Sequence, residues 1–151
     1  MATSNALDIA YHLVKKYADE GKPLTNIKLQ KLLYFAWILH YNNTGERLFD
    51  NKFYAWKFGP VVEDVYYMYR TYAAMPIYRP LGKTEPQINK ELKSLIDLVF
   101  KEYSNKTLTE IIKLAHDECG SWNSVYKDGI MDIEIPFDRI IKYDCPRFKL
   151  E

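Results

Sequence analysis

The densest group of side chains able to do chemistry is His116-Asp117-Glu118-Cys119. An imidazole, two carboxylates and a thiol in four positions have the composition of a metal or acid/base site. Consecutive residues of a helix point in different directions, however, so such a site needs partners from elsewhere, such as His40 or Asp64. Without them the run reads as the polar last turn of a helix, where a histidine also suits the helix dipole. Cys119 as a nucleophile needs a base such as His12 or His40 brought to it in space. The phosphate loop, the G-x-G-x-x-G fingerprint, H-E-x-x-H and G-x-S-x-G are all absent. A chain with 6 glycines has little backbone suited to cradling phosphate. Lys28 and Lys31 with Arg79 and Lys83 could form a basic patch among aromatics. No helix-turn-helix signature accompanies them, and they read as a solvated helix entrance and a solvated loop.

These residues must be carried by a small domain organised around one helix. The stretch LTNIKLQKLLYFAWILHY (24–41) opens with Thr25 as an N-cap and Leu24 placed to staple onto Leu29. From Leu32 to Leu39 it is apolar or aromatic at every position. Eight such residues span about 12 Å as a helix, far short of the roughly 20 residues that cross a bilayer. The spacing therefore predicts a buried central helix over 25–42 and no membrane association. Around it, periodicity predicts helices over 4–20, 60–73 and 87–103, and one from Thr107 to Gly120. The first is capped by Thr3 or Ser4 and carries a stripe of Leu7, Ala10, Tyr11, Val14 and Tyr17. The third turns Val62, Val65, Tyr69 and Tyr72 inward and leaves Tyr66 and Arg70, four apart, to stack on the surface. The Thr107…Glu110 pair matches a capping box. Ser121 caps one further turn, and Pro136 opens a last short helix. Short strands fit 52–58 and 130–135, with Gly59-Pro60 breaking the first and starting the next helix. Residues 74–87 hold Pro76, Pro80, Gly82 and Pro86, and read as a surface loop with a brief extended piece at Ile77-Tyr78. The tail from Tyr143 reads as loosely held. The expectation is a mainly α fold, α+β with minor β: a compact bundle of about five to six helices as one domain over 1–151.

The bulk composition narrows the partners. Lys plus Arg is 21 and Asp plus Glu is 20, a formal net charge of +1. That balance argues against a partner recruited by bulk charge, and nucleic acid is not expected. Two cysteines without a C-x-x-C pair, and an N-terminus without a basic and apolar leader, point to a reduced protein in the cytoplasm. The 13 Tyr, 7 Phe and 3 Trp suit a core boundary or an interface.

Three stretches taken together resemble a known family. They are LTNIKLQKLLYFA (24–36), AWKFGPVV (55–62) followed by Val65-Tyr66, and His116 followed by Ser121-Trp122. In this order and at these separations they are similar to the Panacea domain, the family of SocA-like antitoxins and GepA-like phage-associated proteins. One departure is visible: the family commonly has Pro-Trp after the histidine, and here it is Ser121-Trp122. The resemblance implies a stand-alone antitoxin-type domain of toxin–antitoxin modules and prophages, with no catalytic activity, no metal and no cofactor. The implied partner is a cognate, co-encoded protein toxin neutralised by direct binding. Delivery of the toxin to a cytoplasmic protease, as an adaptor, is the alternative within the family, and binding of a host factor by a prophage protein is another. A small enzyme using His116 and Glu118 is the alternative from a different class. The oligomeric state is not legible.

The recurring family residues are mostly of packing type. Leu29, Leu32, Leu33, Ala55, Trp56, Gly59, Pro60 and Val61, with His116 and Trp122, read as scaffold. Gln30, Lys31 and Tyr34 are polar exceptions. With Trp37 and Tyr41, Gln30 and Tyr34 form a strip that is either a buried hydrogen-bonding seam or an exposed groove. Under the second reading, partner contact comes from Gln30, Lys31 and Tyr34, from Tyr66, Tyr67 and Arg70, and from the 74–87 loop. Lys31→Ala or Tyr34→Ala then leaves a stable, helical protein with weakened neutralisation.

Overall fold

In a computed structural model, residues 4–82, 84–116 and 120–148 are described. The central helix forms as its sequence dictates. Thr25 takes an extended conformation and its hydroxyl accepts from the Lys28 amide, opening α2 (Asn26–Thr44). Every residue from Leu29 to Leu39 is buried. Gly45, left-handed at φ 73°, ends the helix with its amide on the Tyr41 carbonyl. Burying one Leu or Phe side chain is worth about 1.5–3 kcal/mol, so this stretch is a main source of the fold's stability.

The other elements wrap it. The α1 helix (Ala6–Asp19) buries Ile9, Ala10, Leu13, Val14 and Tyr17. Its cap is Asn5, whose side chain accepts from the Leu7 amide, rather than Thr3 or Ser4. The hairpin of β1 (Phe53–Trp56) and β2 (Gly59–Val61) follows. Then come α3 (Glu63–Met68) with a 3-10 turn at Arg70–Tyr72, α4 (Lys90–Tyr103) and α5 (Leu108–Ala115). The chain closes with α6 (Ser121–Val125), β3 (Glu134–Ile135), α7 (Phe137–Arg139) and a π-type turn at Ile140–Asp144. The helix α2 packs against α1, α3, α4, α5, β2 and the π turn. The architecture is mainly α with a small antiparallel sheet in the order β2-β1-β3. The Thr107–Glu110 capping box forms in both directions. Leu95, Ile96, Val99 and Tyr103 face the core.

Several boundaries differ from the sequence expectation. Gly59-Pro60 does not begin a helix; it begins β2, with Trp56 opposite Gly59 and Ala55 opposite Pro60. The expected 60–73 helix shrinks to six residues, because Val61 and Val62 are spent on the hairpin and its exit. The 130–135 strand shrinks to Glu134–Ile135, paired with Tyr54 and Phe53. Residues 74–82 and 84–87 form no strand at Ile77-Tyr78, but the segment is tied down. The Ile77 amide donates to the Leu24 carbonyl at 2.8 Å, and the Leu81 amide to the Tyr69 hydroxyl at 3.0 Å. Gly120 rather than Ser121 stands at the N-cap of α6. The start of the tail is not loose: Asp144 and Cys145 are buried.

Candidate functional site

The separated motifs meet at the β1–β2 hairpin. Asn26, Gln30 and Tyr34 are spaced by four on α2 and so share one face. The Gln30 amide donates to the Asn26 side-chain oxygen at 3.0 Å, and its own oxygen accepts from the Val62 amide at 2.9 Å. Asn26 donates in turn to the Tyr66 carbonyl at 3.0 Å. This seam fastens α2 to the end of β2 and to α3. One position on, the Lys31 ammonium donates to the Pro60 carbonyl at 2.9 Å. Lys31 is about 1% exposed, and burial pulls its pKa down from 10.5 to about 7. Gly59 makes room for it. A Cβ at that position would lie 2.8 Å from Lys31 Cε, and the backbone there has φ +116°, which favours glycine.

The other side of the hairpin is held from α5 and α6. Trp122 donates its indole N–H to the Trp56 carbonyl at 2.7 Å. His116 caps α5 and lies flat on Trp122, ring centroids 3.8 Å apart. Burial lowers the His116 pKa; the Phe58 backbone raises it, and the Lys31 charge lowers it. Its Nε2 is buried and has no hydrogen-bond partner among the described residues. Deeper in, the Tyr34 hydroxyl lies 2.6 Å from the Ser121 hydroxyl, and both donate to one oxygen of Asp144. The Ser121 amide donates to the other oxygen at 3.1 Å, with Arg147 at 3.8 Å. Burial pushes the Asp144 carboxyl up from 3.8 to about 6, opposed by the Ser121 amide and by Arg147. The departure to serine at 121 thus has a structural use. A proline would offer neither the amide nor the hydroxyl that Asp144 accepts from.

The strip along α2 is therefore a buried hydrogen-bonding seam. Gln30, Lys31 and Tyr34 are each about 1% exposed, and Trp37 is also enclosed. The expectation of partner contact through these three is corrected by that burial: a partner docking on the folded chain reaches none of them. Lys31→Ala and Tyr34→Ala are accordingly expected to cost stability, because each removes a buried hydrogen-bond partner. Leu29, Leu32, Leu33, Ala55 and Val61 are core residues, and Trp122 is buried over the hairpin.

The outer side of the hairpin is different. Phe58 at its tip is 48% exposed and Tyr67 on α3 is 50% exposed. Tyr66 and Trp56 are half-buried and pack edge to face, centroids 4.8 Å apart, with Tyr67 beside both. Arg70 is exposed and stands over the Tyr67 ring at 6.0 Å, not over Tyr66. The reason is local: α3 ends at Met68 and the 3-10 turn shifts Arg70 off the α-helical spacing.

Asp117, Glu118 and Cys119 lie outside the described residues, as does Lys83. Among the described residues no group of three or more His, Cys, Asp or Glu is placed to hold a metal. A cavity of about 630 Å³ opens between α2 and α4, lined by His40, Glu91, Ser94 and Leu98 among others, and His116 is not part of it. His12 meets the Pro86 carbonyl at 2.9 Å. No helix among the described residues is long and apolar enough to cross a membrane.

Asp144 was hidden in the sequence. It sits in a charged tail, and its contact with Tyr34, 110 residues away along the chain, reveals it. The comparisons with known proteins bear on the rest. No solved structure matches the chain. Antitoxin SocA of Caulobacter vibrioides (strain NA1000 / CB15N) is 27% identical over 131 residues, covering 80% of this chain and 70% of that protein. The family described as antitoxin SocA-like, Panacea domain, matches residues 29–123, which include Gln30, Lys31, Tyr34, the hairpin, His116 and Trp122. The chain that builds this clamp thus belongs to the SocA-like antitoxin family and carries its Panacea domain.

Proposed function

We propose that this protein neutralises a cognate, co-encoded protein toxin by direct contact, through the outer side of the hairpin and α3. The observation that carries the reading is the division of labour at the hairpin. The polar motif residues turn inward and are consumed by the fold, while Phe58, Tyr67 and Arg70 stay exposed on a base that is fastened from beneath. Aromatic side chains and arginine are the usual anchors of protein interfaces. A fastened base keeps the ordering cost of binding low. Membership of an antitoxin family gives the partner its class.

The test is co-expression with the product of the adjacent reading frame. The expected result is rescue of growth and a co-purifying complex. No rescue and no complex would end the reading. Rescue is expected to persist in a strain lacking the host's cytoplasmic proteases; its loss there would show delivery to a protease instead of blocking. His116→Ala, checked for folding, is expected to retain neutralisation, since His116 packs under the hairpin rather than facing a partner.

A further inference from the structure

The cavity of about 630 Å³ between α2 and α4 takes in no residue of the hairpin or of the clamp beneath it. It has the size of a small-molecule site, and the space between two helices of a bundle is a usual place for one. Its floor is apolar: Leu39 and Leu95 are buried and Leu98 is half-buried. On α4, Glu91, Ser94, Leu95 and Leu98 recur at spacings of three and four and so share one face. The last turn of α2 closes one end, through Asn43 and Thr44.

The polar groups around this floor are mostly acceptors. At the end of α2 the Gly45 amide takes the Tyr41 carbonyl, and the Thr44 hydroxyl takes the His40 carbonyl at 2.9 Å. The carbonyls of Asn42, Asn43 and Thr44 are left without a donor among the described residues. Burial holds the His40 imidazole below its ordinary value, against the charges of Glu46 and Glu91, so it is neutral at neutral pH. Glu91 is then the one charged side chain in the lining, and it forms no ion pair among the described residues. Three and four positions on from it stand Ser94 and Leu95, not a lysine. Lys90, Lys93 and Lys101 of α4 are outside the lining, and Arg47 is engaged by Asp50 at 3.4 Å and by the Phe137 ring. The end of α2 carries about half a negative charge and the start of α4 about half a positive one. These offset each other, and the Glu91 carboxylate sets the sign.

An apolar floor with unsatisfied acceptors and a carboxylate at its rim selects for an apolar chain with a positively charged donor head. Ammonium carries three donors and no acceptor. A carboxylate ligand would meet Glu91 with like charge and would bring no donor to the open carbonyls. We propose that this cavity binds a small organic amine in its ammonium form, its alkyl chain on Leu39, Leu95 and Leu98 and its head between Glu91 and the end of α2. The site is separate from the surface proposed for the toxin and does not depend on it.

The probe is n-hexylammonium at pH 7, titrated into the full chain and followed by NMR through the methyl signals of Leu39, Leu95 and Leu98. Saturable shifts centred on these residues and on His40 are expected. Affinity is expected to rise about fourfold per methylene from butyl- to octylammonium, the worth of one buried CH₂. Hexanoate is expected to bind roughly tenfold more weakly, and Glu91→Gln to weaken hexylammonium about threefold, as befits a charge pair at a wet rim. Ser94→Trp, which fills the cavity, is expected to abolish binding. Circular dichroism checks folding. If Ser94→Trp does not fold, Glu91→Lys decides, and there hexanoate is expected to bind better than hexylammonium. Hexanoate that binds the wild-type chain as tightly as hexylammonium overturns the proposal. An affinity indifferent to chain length, or shifts that persist in a folded Ser94→Trp chain, overturns it too, as does a lack of saturation at on the order of 10 mM hexylammonium. A blocked lysine peptide that binds about tenfold tighter than hexylammonium overturns the free amine and gives the cavity to a partner's side chain.

Discussion

The two sides of the β1–β2 hairpin are built from the same kinds of residue and behave in opposite ways. Beneath it, Gln30, Lys31, Tyr34, Ser121 and Asp144 are polar and enclosed, and each finds a hydrogen-bond partner within a few ångströms. Above it, Phe58, Tyr67 and Arg70 are exposed, and the Trp56 and Tyr66 rings beside them remain partly exposed. A polar group that is buried and satisfied specifies the fold. A polar group left uncompensated beside exposed apolar surface is more readily spent on a partner. The family's recurring polar residues therefore lie on the inner side, where they hold the hairpin still.

Breaking the inner side should have the larger effect on stability. Asp144→Ala leaves the Tyr34 and Ser121 hydroxyls without their acceptor in a buried place, and is expected to cost about 2–4 kcal/mol. Urea unfolding would read it; a loss under 0.5 kcal/mol would mean that the network is incidental. Gly59→Ala is expected to cost roughly 2 kcal/mol, from a side chain forced into positive φ and against Lys31. Its thermal midpoint should fall. Lys31→Ala should relieve part of the clash, so the double variant should lose less than the sum of the two single changes.

The pH dependence separates the two buried charges. Lys31 has a folded pKa of about 7, below its ordinary 10.5. Between these values the unfolded chain holds the proton and the folded chain does not, so this group's contribution rises with pH above about 7. Asp144 runs the other way. Its folded pKa of about 6 exceeds 3.8, so its contribution is greatest below 3.8 and is lost as pH rises through 6. Their combined contribution is least between about pH 6 and 7, with slopes of at most about 1.4 kcal/mol per pH unit on either side. Urea unfolding across this range checks it. Lys31→Met should remove the alkaline rise and Asp144→Asn the acid-side fall. A wild-type profile maximal at pH 6–7 in these two components would contradict the burial argument.

On the outer side the effect on stability should be smallest. Tyr67→Ala and Arg70→Ala are expected to change unfolding free energy by less than about 0.5 kcal/mol while weakening capture of the toxin. If they unfold the chain, the two sides are not separable.

Much of the fold was legible because it rests on local rules. The Thr25 cap and the Thr107–Glu110 box each follow from near neighbours along the chain. The misjudged places are those where two signals competed. Gly59-Pro60 suits a helix start and also a tight hairpin, and strand pairing with β1 decided it. The tail looked loose because its polar residues gave no sign that Asp144 was wanted inside.

What the sequence by itself determined is the central helix, the helical class of the fold and the family, because periodicity, caps and motif spacing are properties of the chain order. Only the tertiary structure decided which side of the hairpin each polar residue serves. Gln30 and Tyr34 on one face of a helix look alike whether that face meets water or a hairpin. The difference is made by Val62, Pro60 and Asp144, whose backbone and carboxyl groups arrive from 29 or more residues away along the chain. Burial is a property of that arrival, and it turns a candidate binding strip into the support beneath one.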